Sequence, residues 1–481
     1  MSTFQPFELL EHNAKAHPDA PAIISQQARL SFAELSDTAL RFASLLRERG
    51  IKPGQLVGLR LPTTLDLGMS MALFHEAAVG GSIAPDVGPA GRAQFDWIIS
   101  MSPDPAVPAE RQIVISQALL NRAALLPPAT DRKHYATPQA LCRVSFSSGT
   151  TGEPKMIPWS VECLRDRAID RKSQWMLGQP YLCLLGLSTG LGFMTALANL
   201  SSAEPFFDAG SFQKLLPVIK RFGVRCLVGS PTQLLLLVRE SIESGETPQF
   251  ETVMSAGSNL PDATASQLTA RFGAQVVSTY ASSEAGSVAV RYGPDQGARH
   301  GASVTHAGTI LPDVEVRILD ENGAALEEGE IGQVAIGRPL QPREYLNDAV
   351  ATKKSFRDGL FLPGDTGFVL GDELFLTGRT SELIDAGGVK VNPTSIDAAA
   401  LECDGVRDAA AFPRTDEATG LTSIALAVVG DYEPRALATQ LRKRFGEAGP
   451  SFIVKVSEIP RNHMGKVNRS SLASSVGRPG P

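Results

Sequence analysis

The chain has 481 residues, which predicts more than one domain and a large buried core. The hydrophobic share of 43% is ordinary for a soluble globular protein, and a formal net charge of −6 without a long basic run argues against a nucleic-acid-binding protein. The five cysteines have neither a CxxC nor a His-paired spacing, which indicates reduced thiols rather than a zinc site or a disulfide framework.

The N-terminal residues and the hydropathy pattern indicate a cytoplasmic protein. Glu8 and Glu11 interrupt the region where a secretory signal needs an apolar run. No stretch reaches the roughly 18 consecutive apolar residues of a membrane-spanning helix. We therefore expect a cytoplasmic protein without a membrane span, present as a monomer or a homodimer.

In chain order, the first clear element is a helix at Ser31–Gly50, in which Ser31 and Glu34 form a capping box and Gly50 ends the helix. The further predicted elements up to residue 170 are a strand at Val57–Leu61, a helix at Leu65–Val79 closed by Gly80–Gly81, strands at Gln112–Ile115 and Leu141–Ser145, and a helix from Val161 capped by Ser160.

The middle of the chain alternates regularly between helices and strands. The predicted elements are a helix at Phe212–Phe222, a strand at Val224–Val228, a helix from Ser230–Pro231 to Gly245, a strand at Thr252–Ser255, a helix at Pro261–Phe272 and a strand at Gln275–Thr279. Repeated strand–helix units predict an α/β fold with parallel sheet covered by helices. Such sheets bind ligands beyond the carboxyl ends of their strands.

From about residue 300 the pattern changes to short antiparallel strands and then to a small α+β domain. The predicted short antiparallel strands are Val314–Leu319, Gly332–Ile336 and Gly367–Thr377, joined by hairpin turns such as Glu321–Asn322–Gly323. The predicted α+β elements are a helix at Pro434–Phe445 and strands at Ser423–Val429 and Phe452–Val456, followed by a loose tail from Gly477.

The segment Phe146–Lys155, FSSGTTGEPK, lies between a predicted strand and the helix from Val161 and could surround a polyphosphate. Its glycines let backbone N–H groups approach phosphate oxygens, its hydroxyls add donors, and Lys155 adds a positive charge. The spacing is not that of a Walker loop. Taken alone, the segment also fits an ordinary polar turn.

Four further segments carry chemically active residues. They are STYASSEAG at Ser278–Gly286, LPGDTG at Leu362–Gly367, GRTSELIDAGGVKVNP at Gly378–Pro393 and PRNHMGKVNR at Pro460–Arg469. Each alone also fits a surface turn, a hairpin Asp, a linker or a charged loop. Together with the glycine- and hydroxyl-rich segment, and in this order, they resemble the adenylate-forming superfamily of acyl-CoA synthetases, carrier-protein-loading adenylation domains and beetle luciferases.

The resemblance runs from about residue 20 to about residue 470 and implies a fold and an activity. The fold is a large N-terminal AMP-binding domain, residues 1–378, with two stacked α/β subdomains and a small β-barrel-like subdomain, followed by a small mobile α+β lid domain, residues 379–481. The implied activity uses ATP and Mg²⁺ to convert a small carboxylic acid into acyl-AMP. The acyl group then passes to the thiol of coenzyme A or of a carrier-protein phosphopantetheine.

The resemblance also assigns roles to residues. Those implied to bind the nucleotide are the phosphate-loop residues Ser147, Ser148, Gly149, Thr150, Thr151, Gly152 and Lys155, the adenine-site residues Gly257, Ser258, Tyr280, Ala281, Ser282 and Ser283, and the ribose-binding residues Asp365 and Arg379. Glu284 and Thr151 are implied to bind Mg²⁺. Lys466 is implied to close over the reacting α-phosphate, and Gly387–Gly388 to line the passage for the pantetheine arm, with the domain pivoting near Arg379–Ser381.

Some positions depart from the family's pattern. Ser188–Thr189 replace a His or a bulky aromatic residue that helps to gate the acyl site and the thiol tunnel, which weakens the case for the CoA step, and Ser381 stands where a hinge Asp or Lys is common. No Asp near Ser188 is available to bind an ammonium group, which argues against an amino-acid substrate.

The expected acid is monocarboxylic, with a fatty or aromatic tail. The C-terminal motif is similar to that of malonyl-CoA synthetases, but no suitable cation follows Pro231–Thr232, and a buried second carboxylate without a partner costs too much. The residues expected to form an apolar slot are Leu234–Leu237, Gly186, Gly190, Gly192 and Ala281.

Other functions remain as alternatives. Within the same fold, the chain could load a carrier protein instead of CoA. Gly186–Gly190, GLSTG, also matches the nucleophile elbow of α/β-hydrolases, with Ser188 as the nucleophile and His300, His306 or His463 as its base. A nucleotide-binding protein without turnover is disfavoured by the set of Lys155, Glu284, Asp365 and Lys466.

Overall fold

The computed structural model describes residues 3–147, 154–172, 180–293, 295, 299–300, 304–379, 384–386, 389–415, 422–446, 449–461 and 467–476. None of the helices in these ranges is long and apolar enough to cross a membrane. All five cysteines are free thiols, four of them buried.

The first part of the chain builds a helix-covered sheet. Its helices are α1 (Glu8–Ala16), α2 (Phe32–Glu48), α3 (Thr63–His75), α4 (Pro89–Arg92), α5 (Gln117–Leu125), α6 (Val161–Arg165) and α7 (Gly190–Ser201). Its strands are β1 (Pro21–Ile24), β2 (Arg29–Ser31), β3 (Leu56–Arg60), β4 (Val79–Ser82), β5 (Trp97–Ser100), β6 (Gln112–Val114), β7 (Leu141–Phe146), β8 (Met156–Ser160), β9 (Tyr181–Cys183) and β10 (Phe206–Phe207). Six of these strands form one sheet in the order β6-β5-β3-β4-β7-β8, and β10-β1-β2 form a small second one.

Two local predictions in this part are wrong. Gly80–Gly81 do not end a helix: α3 ends at His75, and both glycines lie in the buried parallel strand β4. An added Cβ at Gly81 would overlap the side chain of Val144, so the glycine is required for close packing of β4 against β7. The phosphate-loop segment is also not followed directly by a helix, because β8 intervenes and pairs antiparallel with β7.

The second part continues with α8 (Leu216–Phe222), α9 (Pro231–Ser244), α10 (Asp262–Phe272) and the strands β11 (Cys226–Gly229), β12 (Thr252–Ser255), β13 (Gln275–Ser282) and β14 (Gly286–Tyr292). The strands β9, β11, β12 and β13 are parallel, as the alternation predicts, and β14 turns back antiparallel to β13. The two α/β subdomains share a hydrophobic core. In this core Phe74 of α3 meets Phe193 of α7, with ring centroids 6.2 Å apart.

The antiparallel region extends the sheet that contains β9, β11, β12, β13 and β14. Its elements are β15 (Thr305–Ile310), β16 (Glu315–Leu319), β17 (Gly332–Gly337), α11 (Ala349–Ser355), β18 (Phe356–Arg357), β19 (Leu360–Phe361), β20 (Asp365–Leu370) and β21 (Glu373–Arg379). These strands are joined by hydrogen bonds to β14, so one sheet of 12 strands runs from β18 to β9.

The last part is a small α+β unit with its own core. Its elements are β22 (Ile384–Ala386), β23 (Val389–Val391), α12 (Pro393–Leu401), β24 (Val406–Thr415), β25 (Thr422–Gly430), α13 (Pro434–Phe445), β26 (Phe452–Lys455) and α14 (Arg469–Val476). The sheet order is β24-β25-β26, and Ile396, Leu426 and Leu437 are fully or almost fully buried. The predicted α/β class with a small α+β C-terminal unit is confirmed, whereas the boundary at residue 378 remains a prediction.

A buried charged pair lies between the two α/β subdomains. Arg143 of β7 donates to Ser82 Oγ at 2.9 Å and to the carbonyl of Leu187 at 3.2 Å, and its guanidinium lies over the Phe193 ring. Ser82 in turn donates to Asp66 Oδ1 at 2.8 Å. Burial raises the pKa of Asp66 from its ordinary 3.8 to about 6, against the opposing effect of Arg143.

This raised pKa predicts a pH-dependent stability. The folded protein binds the Asp66 proton more tightly than the unfolded chain, so the stability from this group is complete below about pH 3.8 and is lost as the pH rises through about 6. Relative to wild type, we expect Asp66→Asn to gain about 2 kcal/mol between about pH 4.5 and about pH 7.5. Urea unfolding followed by tryptophan fluorescence at both pH values measures this gain. An equal gain in Asp372→Asn, a change in an exposed turn, would contradict the assignment to Asp66.

Candidate functional site

The base of the phosphate-loop segment is closed by hydrogen bonds between its two ends. The Ser147 N–H donates to the carbonyl of Lys155 at 2.9 Å, and the Lys155 N–H donates to Ser147 Oγ at 2.9 Å. Because β7 and β8 are paired on either side, the segment leaves and re-enters the sheet at one point. Residues 148–153, which include most of the predicted phosphate-binding groups, lie outside the described residues.

Glu284 lies in the turn between β13 and β14, and two buried arginines fix the backbone of that turn. Arg167 donates to the carbonyls of Ser283 and Glu284, and Arg338 donates to those of Ala285 and Ser287 at 2.9 Å each. These are four main-chain contacts from two planar guanidinium groups.

The charge environment of Arg338 is unusual. Burial lowers the pKa of Arg338 to about 10, and the nearby Arg167 and Arg171 act in the same direction. Asp313 offsets part of this cost, because its carboxylate lies 2.9 Å from Arg338 Nε and also pairs with Arg171. The turn that carries Glu284 therefore lies on a compensated cationic cluster.

The Glu284 side chain is 6% exposed and is bound by a residue that the sequence motifs did not identify. The Tyr345 hydroxyl donates to Glu284 Oε1 at 2.8 Å, and Lys155 Nζ lies 5.0 Å from the centroid of the Tyr345 ring. Tyr345 thus contacts both the predicted metal ligand and the lysine that ends the phosphate-loop segment. It lies 61 residues beyond Glu284 in the sequence and outside every motif that carried the resemblance.

Three predicted nucleotide-binding residues also meet in the structure. The Tyr280 hydroxyl donates to Asp365 Oδ2 at 2.5 Å, and Arg379 Nε donates to Asp365 Oδ1 at 2.7 Å. Asp365 and Arg379 are direct partners across the β20–β21 hairpin. Burial, followed by the charge of Asp365, raises the pKa of Tyr280 well above its usual range, so its hydroxyl stays protonated as a hydrogen-bond donor.

The remaining predicted site residues fall into two groups. Gly257 and Ser258 follow β12, with Gly257 at φ +96°, and the neighbours of Tyr280 continue β13, where Ala281 is exposed and Ser282 Oγ accepts the Ala285 N–H at 2.9 Å. The predicted site residues outside the described ranges are Ser148, Gly149, Thr150, Thr151, Gly152, Gly387, Gly388 and Lys466.

The residues expected to form an apolar slot have different surroundings in the structure, and the slot itself stays a prediction. Leu234 and Leu237 are 0% and 1% exposed and belong to the hydrophobic core that packs on β9, β11 and β12. Gly192 is required for packing, because an added Cβ would overlap the carbonyls of Leu185 and Gly186. Thr189 caps α7: its hydroxyl accepts the Gly192 N–H at 3.0 Å and donates to the Gly186 carbonyl at 2.9 Å.

The structure does not favour the hydrolase alternative. Ser188 lies in the turn before α7, whereas His306 pairs with Glu373 across β15 and β21 and stacks on Phe375. His300 packs against the same phenylalanine ring. These two histidines are therefore engaged within the antiparallel region, and His463 lies outside the described residues.

The donor set at Glu284 fits Mg²⁺ better than a metal that needs several protein ligands. Within the described parts of the chain, no group of three or more His, Cys, Asp and Glu side chains could hold a metal ion. Mg²⁺ typically takes one or two carboxylates together with phosphate oxygens and waters, so a single buried carboxylate beside the predicted phosphate-binding segment suits it.

Comparisons with known proteins agree with this architecture. Residues 10–74 and 95–346 match the family model described as AMP-binding enzyme, and residues 395–466 match that of the AMP-binding enzyme C-terminal domain. These matches cover most of the chain. The chain therefore belongs to the AMP-binding enzyme family.

Individual relatives are similar along almost the whole length. An oxalate–CoA ligase of Arabidopsis thaliana is 28% identical over 512 aligned positions, which cover 97% of each chain. An indoleacetate–CoA ligase of Aromatoleum aromaticum (strain DSM 19018 / LMG 30748 / EbN1) is 26% identical and covers 98% of each chain. The crystal structure of the anthranilate CoA ligase AuaEII with anthranoyl-AMP has a TM-score of 0.82 at 18% identity, covering 98% of this chain and 97% of the other.

Proposed function

We propose that this chain is an ATP-dependent acid–thiol ligase. It activates a monocarboxylic acid as acyl-AMP, releases pyrophosphate and transfers the acyl group to the thiol of CoA. The observation that carries the proposal is the meeting of Tyr280, Asp365 and Arg379 in one cluster and of Lys155, Tyr345 and Glu284 in another, on a chain that belongs to the AMP-binding enzyme family.

In the first step, a carboxylate oxygen of the acid attacks the α-phosphorus of ATP. A new P–O bond forms while the bond to pyrophosphate breaks and its electron pair leaves with the pyrophosphate. Both reactants are anionic, so catalysis consists of positioning and of neutralising charge. In this proposal Lys155 and the loop from Ser147 bind the phosphates, and Lys466 offsets the charge that grows on the α-phosphoryl and carboxylate oxygens.

The Tyr280 cluster provides the nucleoside site of the proposal. An ionised carboxylate has about four lone-pair positions. Two of those on Asp365 are taken by Tyr280 and Arg379, and two remain to accept the ribose hydroxyls. Adenine would stack on Tyr280 and lie beside Gly257 and Ser258.

Glu284, together with Thr151, would bind Mg²⁺. When bound, the ion supplies positive charge on the phosphate oxygens of ATP. The protein's own part is to keep the Glu284 carboxylate in place, through Tyr345 on the side chain and Arg167 and Arg338 on the backbone.

For thioester formation, the thiolate sulfur attacks the acyl carbon and AMP leaves. Residues 379–481 would form a domain that turns near Arg379–Ser381 between the two steps. This turn would move Lys466 away from the reaction site and bring the segment with Gly387–Gly388 to it. A thin pantetheine arm needs close backbone approach, which glycine permits.

The proposed substrate is an aromatic or fatty monocarboxylate. Indoleacetate, in the name of one relative, is an aromatic monocarboxylate, whereas oxalate, in the name of another, is a dicarboxylate. The sequence has no suitable cation for a second carboxylate after Pro231–Thr232, where Arg239 is a poor candidate, and no Asp near Ser188 for an ammonium group.

Acid-dependent exchange of pyrophosphate into ATP tests the proposal directly. We expect exchange with aryl-acetic, benzoic or medium-chain fatty acids, and AMP release that CoA accelerates. Acid-dependent AMP formation that CoA fails to accelerate, but that a phosphopantetheinylated carrier protein does, would favour the carrier-loading alternative. Exchange with dicarboxylates or amino acids alone would overturn the substrate class.

A further inference from the structure

We propose that Tyr345 is a positioning residue that couples the metal-binding carboxylate of Glu284 to Lys155 of the phosphate-loop segment. The inference rests on the proposed function and extends it by one residue. It starts from two contacts of one side chain: the hydroxyl donates to Glu284 Oε1 at 2.8 Å, and the ring centroid lies 5.0 Å from Lys155 Nζ.

The two ends of this side chain act on different groups. A hydroxyl that occupies Oε1 leaves the second oxygen of Glu284 for a metal ion and fixes the plane of the carboxylate. An ammonium group within about 6 Å of an aromatic centroid is attracted by the ring's electron-rich face. Tyr345 therefore sets the distance and direction between an anionic and a cationic group of the same phosphate site.

The backbone of Tyr345 is anchored on both sides. The Leu346 N–H donates to the carbonyl of Met156 at 2.8 Å, and Met156 directly follows Lys155. The Tyr345 N–H donates to Thr352 Oγ1 at 2.9 Å, and Thr352 is part of α11. The exit of the phosphate-loop segment and the Tyr345 segment are thus joined through main-chain atoms as well as through Lys155.

The ring of Tyr345 is equally constrained. It packs edge-on against Phe356, with the centroids 5.2 Å apart, and the residue is only 5% exposed. Burial, followed by the charge of Glu284, raises the pKa of Tyr345 above its usual range, so its hydroxyl remains a donor at physiological pH. A buried, oriented donor of this kind resembles the outer partners that fix metal-ligating side chains, whose loss costs about 10- to 100-fold in metal affinity or activity.

Tyr345→Phe separates the two contacts, because it removes the hydroxyl and keeps the ring under Lys155. Titration calorimetry of ATP binding, with and without Mg²⁺, is the measurement. We expect the gain in affinity that Mg²⁺ provides to fall about 10- to 100-fold in the variant, while metal-free ATP binds as in wild type. Tyr345→Leu also removes the ring and is expected to weaken metal-free ATP binding.

Tyr292→Phe is the matched control, since Tyr292 lies on β14 of the same hairpin as Glu284 but is 56% exposed. It should bind MgATP as wild type does. MgATP binding by Tyr345→Phe that equals wild type, or an equal loss with and without Mg²⁺, would overturn the inference. A wild-type protein that binds MgATP but shows no acid-dependent exchange would overturn the proposed reaction, while the Tyr345→Phe comparison would still decide the positioning role.

Discussion

Lys466→Ala is expected to slow acyl-AMP formation by about 10²- to 10³-fold, the loss typical of a removed oxyanion donor. In the proposed mechanism the lysine acts on charge that develops during attack on the α-phosphorus, so ATP affinity should change little. Rapid-quench measurement of acyl-AMP, beside calorimetry of ATP binding, separates the two effects. Preformed acyl-AMP supplied together with CoA should still be converted to the thioester at a rate close to wild type.

Lys455→Ala provides the control for this change. Lys455 lies on β26 of the same C-terminal unit, is exposed and forms an ion pair with Asp431 at 3.3 Å. Its replacement should leave both half-reactions unchanged. Acyl-AMP formation at the original speed in Lys466→Ala would remove the catalytic role assigned to this lysine.

Asp365→Ala is expected to weaken ATP binding by about 10²-fold or more. Hydrogen bonds to a charged group contribute about 1.5 to 3 kcal/mol each, and the change removes the proposed acceptor for both ribose hydroxyls. It also leaves Arg379 and the Tyr280 hydroxyl without their bonds to Asp365. Calorimetry with ATP and with AMP should show similar losses, because both ligands carry the ribose.

Asp372→Asn tests whether this loss is specific. Asp372 lies at the exposed turn of the same β20–β21 hairpin, so the change alters a nearby carboxyl group without touching the cluster. It should bind ATP normally. If 2′,3′-dideoxy-ATP were weakened by Asp365→Ala as strongly as ATP, the ribose assignment would be wrong.

Features set by local hydrogen bonding were predictable from the sequence. The capping box of Ser31 and Glu34 begins α2 as expected, and the Ser230–Pro231 start and the Gly245 end of α9 are also confirmed. In these cases a side chain or a glycine acts on backbone atoms within a few residues, so the sequence window contains the cause.

Features that depend on packing between distant segments were missed. Gly80–Gly81 have the composition of a helix end, but both lie in the strand β4. This strand approaches Val144 so closely that a side chain at Gly81 would overlap it. The strand β8 contains Pro158, which masks its pattern, and it forms because β7 pairs with it.

The candidate site shows the same difference between features that a local pattern predicts and features that depend on distant segments. The motifs identified Tyr280 and Asp365, which lie 85 residues apart and do meet in the structure. Tyr345 lies in REYLN, where nothing marks it as a partner of Glu284. Arg167 and Arg338 lie in two unrelated segments, each with a further arginine nearby, so no local pattern distinguishes them. Their roles arise from the three-dimensional approach of their side chains to the β13–β14 turn, which no local pattern encodes.

The hydrogen bonds of Arg167 and Arg338 to the β13–β14 turn have an evolutionary consequence. Both arginines contact carbonyl oxygens, which every amino acid possesses, rather than the side chains of Ser283, Ala285 or Ser287. The two arginines therefore set no requirement of their own on those three side chains, although Ala285 is a buried core residue for other reasons. Loss of Arg167 would release the carbonyls of Ser283 and Glu284, and loss of Arg338 those of Ala285 and Ser287. Among descendants of this protein, selection on the shape of this turn should therefore act most directly on the two arginines.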